Sequence, residues 1–108
     1  MDHVDTRAVY DLHERMCKAI ADPKRLIILE SLRHGARSVG ELAEVLGTSQ
    51  PNTSQHLAIL RERSIVTAER RGTVIYYSLT SPKVLEALDI LRDFMVAHPT
   101  AEDGELAG

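Results

Sequence analysis

The stretch SQPNTSQHLAILRERSIV, residues 49–66, sets a proline and a crowd of small polar side chains in front of an amphipathic run through Leu57, Leu60 and Val66. Pro51 is compatible with a helix start, because first-turn amides have no intrahelical acceptor to lose. The spacing therefore predicts a helix reaching to about Arg63, with Leu57, Leu60 and Thr53 on the face that meets a core. Asn52, Gln55, His56 and Arg63 point largely the other way, so amides, hydroxyls and an imidazole collect on one polar face.

Upstream, Ser38 and Glu41 form an S-x-x-E capping box and start a short helix through Leu42, Ala43, Val45 and Leu46, which Gly47 ends. Only Gly47-Thr48-Ser49 separates it from the next helix, and two short helices joined so tightly form a helix-turn-helix. Further upstream, Asp22 is a cap and Pro23 a first helical residue for PKRLIILESLRHG, an almost wholly apolar core helix that stops at His34-Gly35. Asp5 to Ala21 reads as a first helix with Val9, Leu12, Met16 and Ile20 on one face.

Downstream, the period changes to two. IVTAERRGTVIYYSL has β-branched and aromatic residues on both sides of Arg71-Gly72, where a tight turn with positive φ is expected, and so reads as a β-hairpin. Ser81-Pro82 repeats the cap-plus-proline start, and a last helix carries Val84, Leu88, Leu91 and Met95 on one stripe until Pro99. The expected architecture is mainly α with a small β-hairpin wing, a winged helix-turn-helix of four helices, two strands and a fifth helix. One domain over residues 1–98 is followed by a disordered acidic tail, 99–108.

Composition excludes other classes. The chain has 108 residues and 44% hydrophobic side chains, no apolar run of membrane-spanning length, and an acidic N-terminus where a secretory leader is basic. A single Cys17 fits a reducing cytoplasm. The net charge of -3 hides an uneven distribution: residues 1–22 carry -2, residues 23–48 +1, residues 49–79 +2 and residues 80–108 -4. The helix-turn-helix and hairpin are thus the basic part of an acidic protein.

In such a domain the second helix of the pair enters the major groove of duplex DNA. Asn and Gln pair bidentately with adenine, Ser and Thr bond to several base edges, and free amides at a helix start suit phosphate. Ile59 has two readings, contact with a thymine methyl or packing under the hairpin. Arg70 and Arg71 at the wing lie against phosphates or enter the adjacent minor groove. No nucleophile, base and orienting group assemble from these motifs, so an enzyme is not expected.

Three segments, ADPKRLIILESL, SVGELAEVLGTSQPNTSQHLAILRERSIV and RRGTVIYYSL, resemble the ArsR/SmtB family of bacterial winged-helix repressors over roughly residues 19–79. The resemblance implies a homodimer built from the first and last helices, with Leu12, Met16, Ile20, Leu88, Leu91 and Met95 at its interface. It also implies an inverted-repeat operator, repression, and release by an effector. Recognition roles carry over onto Ser49, Gln50, Asn52, Thr53, Ser54, Gln55 and His56, and wing roles onto Arg70, Arg71 and Thr73.

The effector is less specified. Soft-metal sensors of the family place a Cys-x-Cys where this chain reads Ser38-Val39-Gly40, and the Asp-x-His and His-x-x-Glu or His-x-x-His of its zinc, nickel and cobalt sensors fall near Ser81, Lys83, Phe94 and Ala97. Neither ligand set is present. Three candidates are left. His3, third after a free amine, offers the square-planar nitrogen set that suits Cu(II) or Ni(II). His13 with Asp89, Asp93 or His98 across a dimer offers a site for Ni, Zn or Cu. Cys17 is a redox switch or a small buried hydrophobe between Met16 and Ile20. Alternatives of another class are a winged-helix protein-interaction module, or an effector-independent regulator that needs an accessory protein.

Overall fold

Leu57 and Leu60 are wholly inaccessible to solvent, and the fold is arranged around them. The computed structural model describes residues 3–101. Met1-Asp2 and the expected acidic tail beyond residue 101 lie outside them. Around Leu57 and Leu60 pack Ile28 and Leu29 from α3 (Pro23–Ser31), Leu42 from α4 (Val39–Leu46), Val66 from β2 (Val66–Arg71) and Leu85 from α6 (Lys83–Ala97). The helix that carries the two leucines is α5 (Gln50–Glu62). Full burial of each such side chain stabilises by roughly 1.5–3 kcal/mol, so this cluster fixes where α5 lies.

Helix boundaries follow the caps. The Asp22 carboxylate accepts from the amides of Lys24 (2.8 Å) and Arg25 (3.4 Å) ahead of Pro23. In the capping box, the Glu41 amide donates to Ser38 Oγ (3.2 Å) and the Ser38 amide donates back to Glu41 Oε1 (3.0 Å). That backbone bond, with the Ser38 side chain, holds the Glu41 carboxyl below its ordinary range. Gly47 ends α4 at φ 67°, left-handed backbone that glycine adopts without the Cβ penalty. α6 starts one residue later than a Ser81 cap predicts: Pro82 holds the cap position and Ser81 Oγ accepts from the Lys83 amide (3.2 Å).

The first helix differs from expectation. It runs as α1 (Thr6–Leu12), a π-helical turn (His13–Cys17) and a short α2 (Lys18–Ile20). The wider turn inserts a residue into the helical repeat, so Ala19 is the buried residue of this segment while Cys17 is exposed. The reading of Cys17 as a buried hydrophobe is therefore corrected.

The hairpin forms in the expected place. β2 pairs antiparallel with β3 (Val74–Leu79) from Val66 opposite Leu79 to Arg71 opposite Val74, and Gly72 turns at φ 66°. A third strand, β1 (Arg37–Ser38), joins the other side of β3, with Arg37 opposite Tyr77 and Ser38 opposite Tyr76. Ser38 thus belongs to the sheet and caps α4 at once, which ties wing to helix-turn-helix. No helix among the described residues is long and apolar enough to cross a membrane.

Candidate nucleic-acid interface

The turn between α4 and α5 is closed by short bonds. The Thr48 amide donates to Ala43 O (3.2 Å), Thr48 Oγ1 donates to Asn52 Oδ1 (3.3 Å), and the Asn52 amide donates to Ser49 Oγ (3.2 Å). Ser49 and Asn52 therefore spend part of their hydrogen-bonding capacity on building the helix start.

Along α5, burial sorts the polar residues. Thr53 is wholly buried and its hydroxyl donates to Ser49 O (2.9 Å), which removes it from the set of DNA-reading candidates. Gln50, Ser54 and Gln55 are exposed, and the side chains of Ser54 and Gln55 have no hydrogen-bond partner among the described residues. His56 is half-buried at the edge of this face, with Nδ1 3.2 Å from Arg25 Nη1. Ile59 packs against the core, which decides between its two readings.

Arg63 is also displaced from the expected face. It follows the end of α5, its Nε is buried without a hydrogen-bond partner among the described residues, and it lines a cleft of about 520 Å³ beside Leu12, Met16, Val84, Leu88 and Leu91. The core-facing turn ends where Arg63 begins, so helical phase alone does not aim its long side chain.

The wing arginines differ from each other. Neighbours on a strand point to opposite faces. Arg71 donates to Glu69 Oε1 (2.9 Å) and stacks its guanidinium 4.7 Å over the Tyr76 ring, whereas Arg70 is exposed with no partner among the described residues. Thr73 is exposed beside Gly72 at the tip. Below α5, Asp22 is partly desolvated, yet hydrogen bonds from the Lys24 and Arg25 amides and the nearby Arg25 guanidinium hold its carboxyl below the usual range.

The candidate metal residues do not converge within one chain. Arg33 grips Asp89 with two bonds (2.9 and 3.1 Å) and Glu30 with two more (3.0 Å each), and Arg92 reaches Glu30 (3.0 Å) and Asp89 (3.5 Å). Those guanidinium bonds lower the carboxyls of Glu30 and Asp89 and raise Arg33. Asp89 is thus an ion-pair partner that fastens α6 to α3, a role that sequence spacing could not reveal across 56 residues. His98 stacks on Phe94 at 4.8 Å, while His13 and Asp93 are exposed. No three His, Cys, Asp or Glu side chains cluster among the described residues.

The outer faces of α1 and α6 leave apolar area open: Leu12, Leu91 and Met95 are 56%, 57% and 64% exposed. Tyr10, Ile90, Phe94 and Val96 extend this surface beyond the stripe that the periodicity marks. Met16, Ile20 and Leu88 are turned partly inward and pack against the core.

Known proteins share this arrangement. The chain is 47% identical over 75 residues to nodulation protein NolR of Rhizobium meliloti, covering 69% of this chain and 62% of NolR, and so spans less than two thirds of that relative. It is 36% identical over 78 residues to transcriptional repressor SdpR of Bacillus subtilis, covering 72% of this chain and 87% of SdpR. The homodimeric winged helix-turn-helix DNA-binding domain of Mb0332 from Mycobacterium bovis superposes with a TM-score of 0.76 at 29% identity, over 90% of each chain. Residues 22–68, from the Asp22 cap through the recognition helix into the wing, match the description "Bacterial regulatory protein, arsR family". With its caps, its exposed α5 face and its wing in that order, the chain belongs to the arsR family of bacterial regulatory proteins.

Proposed function

We propose that the protein is a homodimeric transcriptional repressor that binds an inverted-repeat operator, reads it with the outward face of α5, and leaves it when an effector binds. The carrying observation is the pair Ser54 and Gln55. Both are exposed, and unpartnered among the described residues, on a helix whose other side is locked by Thr53, Leu57 and Leu60. A rigid helix with unspent amide and hydroxyl groups can meet base edges at little ordering cost. The wing adds Arg70 as a phosphate contact. The exposed stripe of Leu12, Leu91 and Met95 supports pairing through the first and last helices, and a two-fold dimer presents two α5 helices to two half-sites.

The test is titration of a duplex selected by the wild-type protein from a randomised pool. Gln55→Ala is expected to weaken that duplex by about 1–3 kcal/mol and to relax its preference, with non-specific binding nearly unchanged. Unaltered affinity and preference would remove α5 from the reading surface.

For release, the exposure of Cys17 supports a thiol trigger. The bonds that commit Asp89 to Arg33 weigh against a metal cluster of His13, Asp89, Asp93 and His98 at the dimer seam. Following duplex anisotropy during addition of hydrogen peroxide, and separately of Ni(II), Zn(II) or Cu(II), distinguishes the triggers. A thiol trigger predicts loss of the peroxide response in Cys17→Ser.

A further inference from the structure

Arg25 joins three elements through one guanidinium. Its Nε donates to Ala19 O (2.6 Å) and its Nη2 to Lys18 O (3.3 Å), so it caps the end of α2. Its Nη1 lies 4.0 Å from the Asp22 carboxylate and 3.2 Å from His56 Nδ1 on α5. The side chain is only 13% exposed, so this placement is enforced by its surroundings.

A guanidinium has N–H donors and no acceptor. At the contact with Arg25, His56 Nδ1 must therefore supply the lone pair. In a neutral imidazole the proton then resides on Nε2, because the bond made by one ring nitrogen sets the tautomer of the other. Nε2 has no hydrogen-bond partner among the described residues.

We propose that Arg25 is a positioning residue: it fixes His56 as the Nε2–H tautomer, so that α5 presents a hydrogen-bond donor, and no acceptor, at this position. The proposal rests on the reading of α5 as the recognition helix. The matching group on DNA is an acceptor, either a base-edge atom such as guanine N7 or O6 or thymine O4, or a phosphate oxygen. An imidazole free to exchange tautomers could instead accept from the amines of adenine or cytosine. Fixing the proton makes the contact one-way, since an amine opposite Nε2–H leaves two donors facing each other and both desolvated.

The tautomer is read in the free protein from a long-range proton–nitrogen spectrum of the histidine rings, with the imidazoles neutral. His56 is expected to show a protonated Nε2 and an unprotonated Nδ1, Arg25→Ala a mixture of both tautomers, and Arg25→Lys, which retains a donor, the wild-type pattern. A protonated Nδ1 in the wild type overturns the proposal, as does an unchanged ring in Arg25→Ala. If Arg25→Ala does not fold, the wild-type and Arg25→Lys spectra decide.

DNA supplies the second readout, on the duplex selected by the wild type and its single-base-pair variants. For a base-edge acceptor, discrimination of roughly 10- to 100-fold at one base pair falls toward parity in Arg25→Ala. His56→Gln carries both a donor and an acceptor at similar reach. It should keep affinity within about threefold but tolerate an amine at that same base pair. For a phosphate acceptor, methylphosphonate at one backbone position removes the difference between wild type and His56→Ala without changing any base preference. If Gln55→Ala relaxes preference while Arg25→Ala leaves tautomer and discrimination intact, the positioning role fails and the α5 reading stands. If Gln55→Ala is also silent, it is the α5 reading that fails.

Discussion

The outward face of α5 and the outer face of α6 are both left uncovered by the fold, and they are uncovered in opposite chemistry. On α5, Ser54 and Gln55 offer hydrogen-bonding groups with no partner among the described residues, beside a half-buried His56 held by Arg25. On α6, Ile90, Leu91, Phe94 and Met95 offer apolar area and almost no polar capacity. A polar face left rigid and unspent suits a polar, charged partner whose binding weakens with salt; an apolar face suits a partner of its own kind and answers to concentration. On the proposed reading, the difference teaches where each energy would reside: association on the α6 face, and discrimination on the α5 face.

The severest challenge to this division is Leu91→Asp. A carboxylate in the middle of the apolar face should raise the dimer dissociation constant by roughly 100-fold or more. Tight operator binding should go with it although α5 is untouched, and sedimentation with parallel DNA titration checks both. A stable wild-type monomer at micromolar concentration would break the comparison outright. Next in size is Gln55→Ala, expected to cost about 1–3 kcal/mol on the selected duplex while the dimer persists.

Smaller still is the contrast within the wing. Arg70→Ala should weaken all duplexes and reduce the salt slope by about one, because Arg70 has no partner among the described residues. Arg71→Ala should do less, since Glu69 and Tyr76 already engage that charge. Equal effects would mean that binding strips Arg71 from its partners.

The smallest effect concerns the bonds between α6 and α3. The Glu30 and Asp89 carboxyls are lowered by Arg92 and Arg33, so their contribution to stability is complete above the ordinary carboxylate range and is lost as pH falls through the depressed values. The gap in Tm between wild type and Asp89→Asn should be widest near neutrality and begin to close only as pH falls below about 4. A pH-independent gap would assign the Asn effect to packing.

Features governed by near neighbours were legible in the sequence. Asp22 with Pro23, Ser38 with Glu41, Gly47 and Gly72 each act within a few residues, and each stands where spacing puts it. What was not legible depends on distant partners. β1 is two residues long and exists because β3 pairs with it. The 31 residues between Arg25 and His56, and the 56 between Arg33 and Asp89, hide contacts that decide what a histidine and an aspartate can do. The family likeness puts Thr53 among the DNA-reading residues and helical phase puts Arg63 on their face, but Thr53 is wholly buried and Arg63 turns its side chain into the cleft beside Leu12 and Leu88. Cys17 reads as a small buried hydrophobe from its place between Met16 and Ile20, yet those two pack against the core while Cys17 between them is exposed.

That wider turn, His13–Cys17, gives the first helix a tolerance of length that its composition conceals. A π turn holds one more residue than an α turn for about the same rotation, so removing one residue there, for example Glu14, lets the segment close into ordinary α-helix with Thr6–Leu12 and Lys18–Ile20 keeping nearly the same facing. Leu12 would then still face the cleft it shares with Leu88 and Leu91. The same deletion within regular α-helix, at Val9 for example, turns the residues before it by about 100° relative to those after it, so variants should tolerate loss of a residue within His13–Cys17 far better than loss of one from Thr6–Leu12.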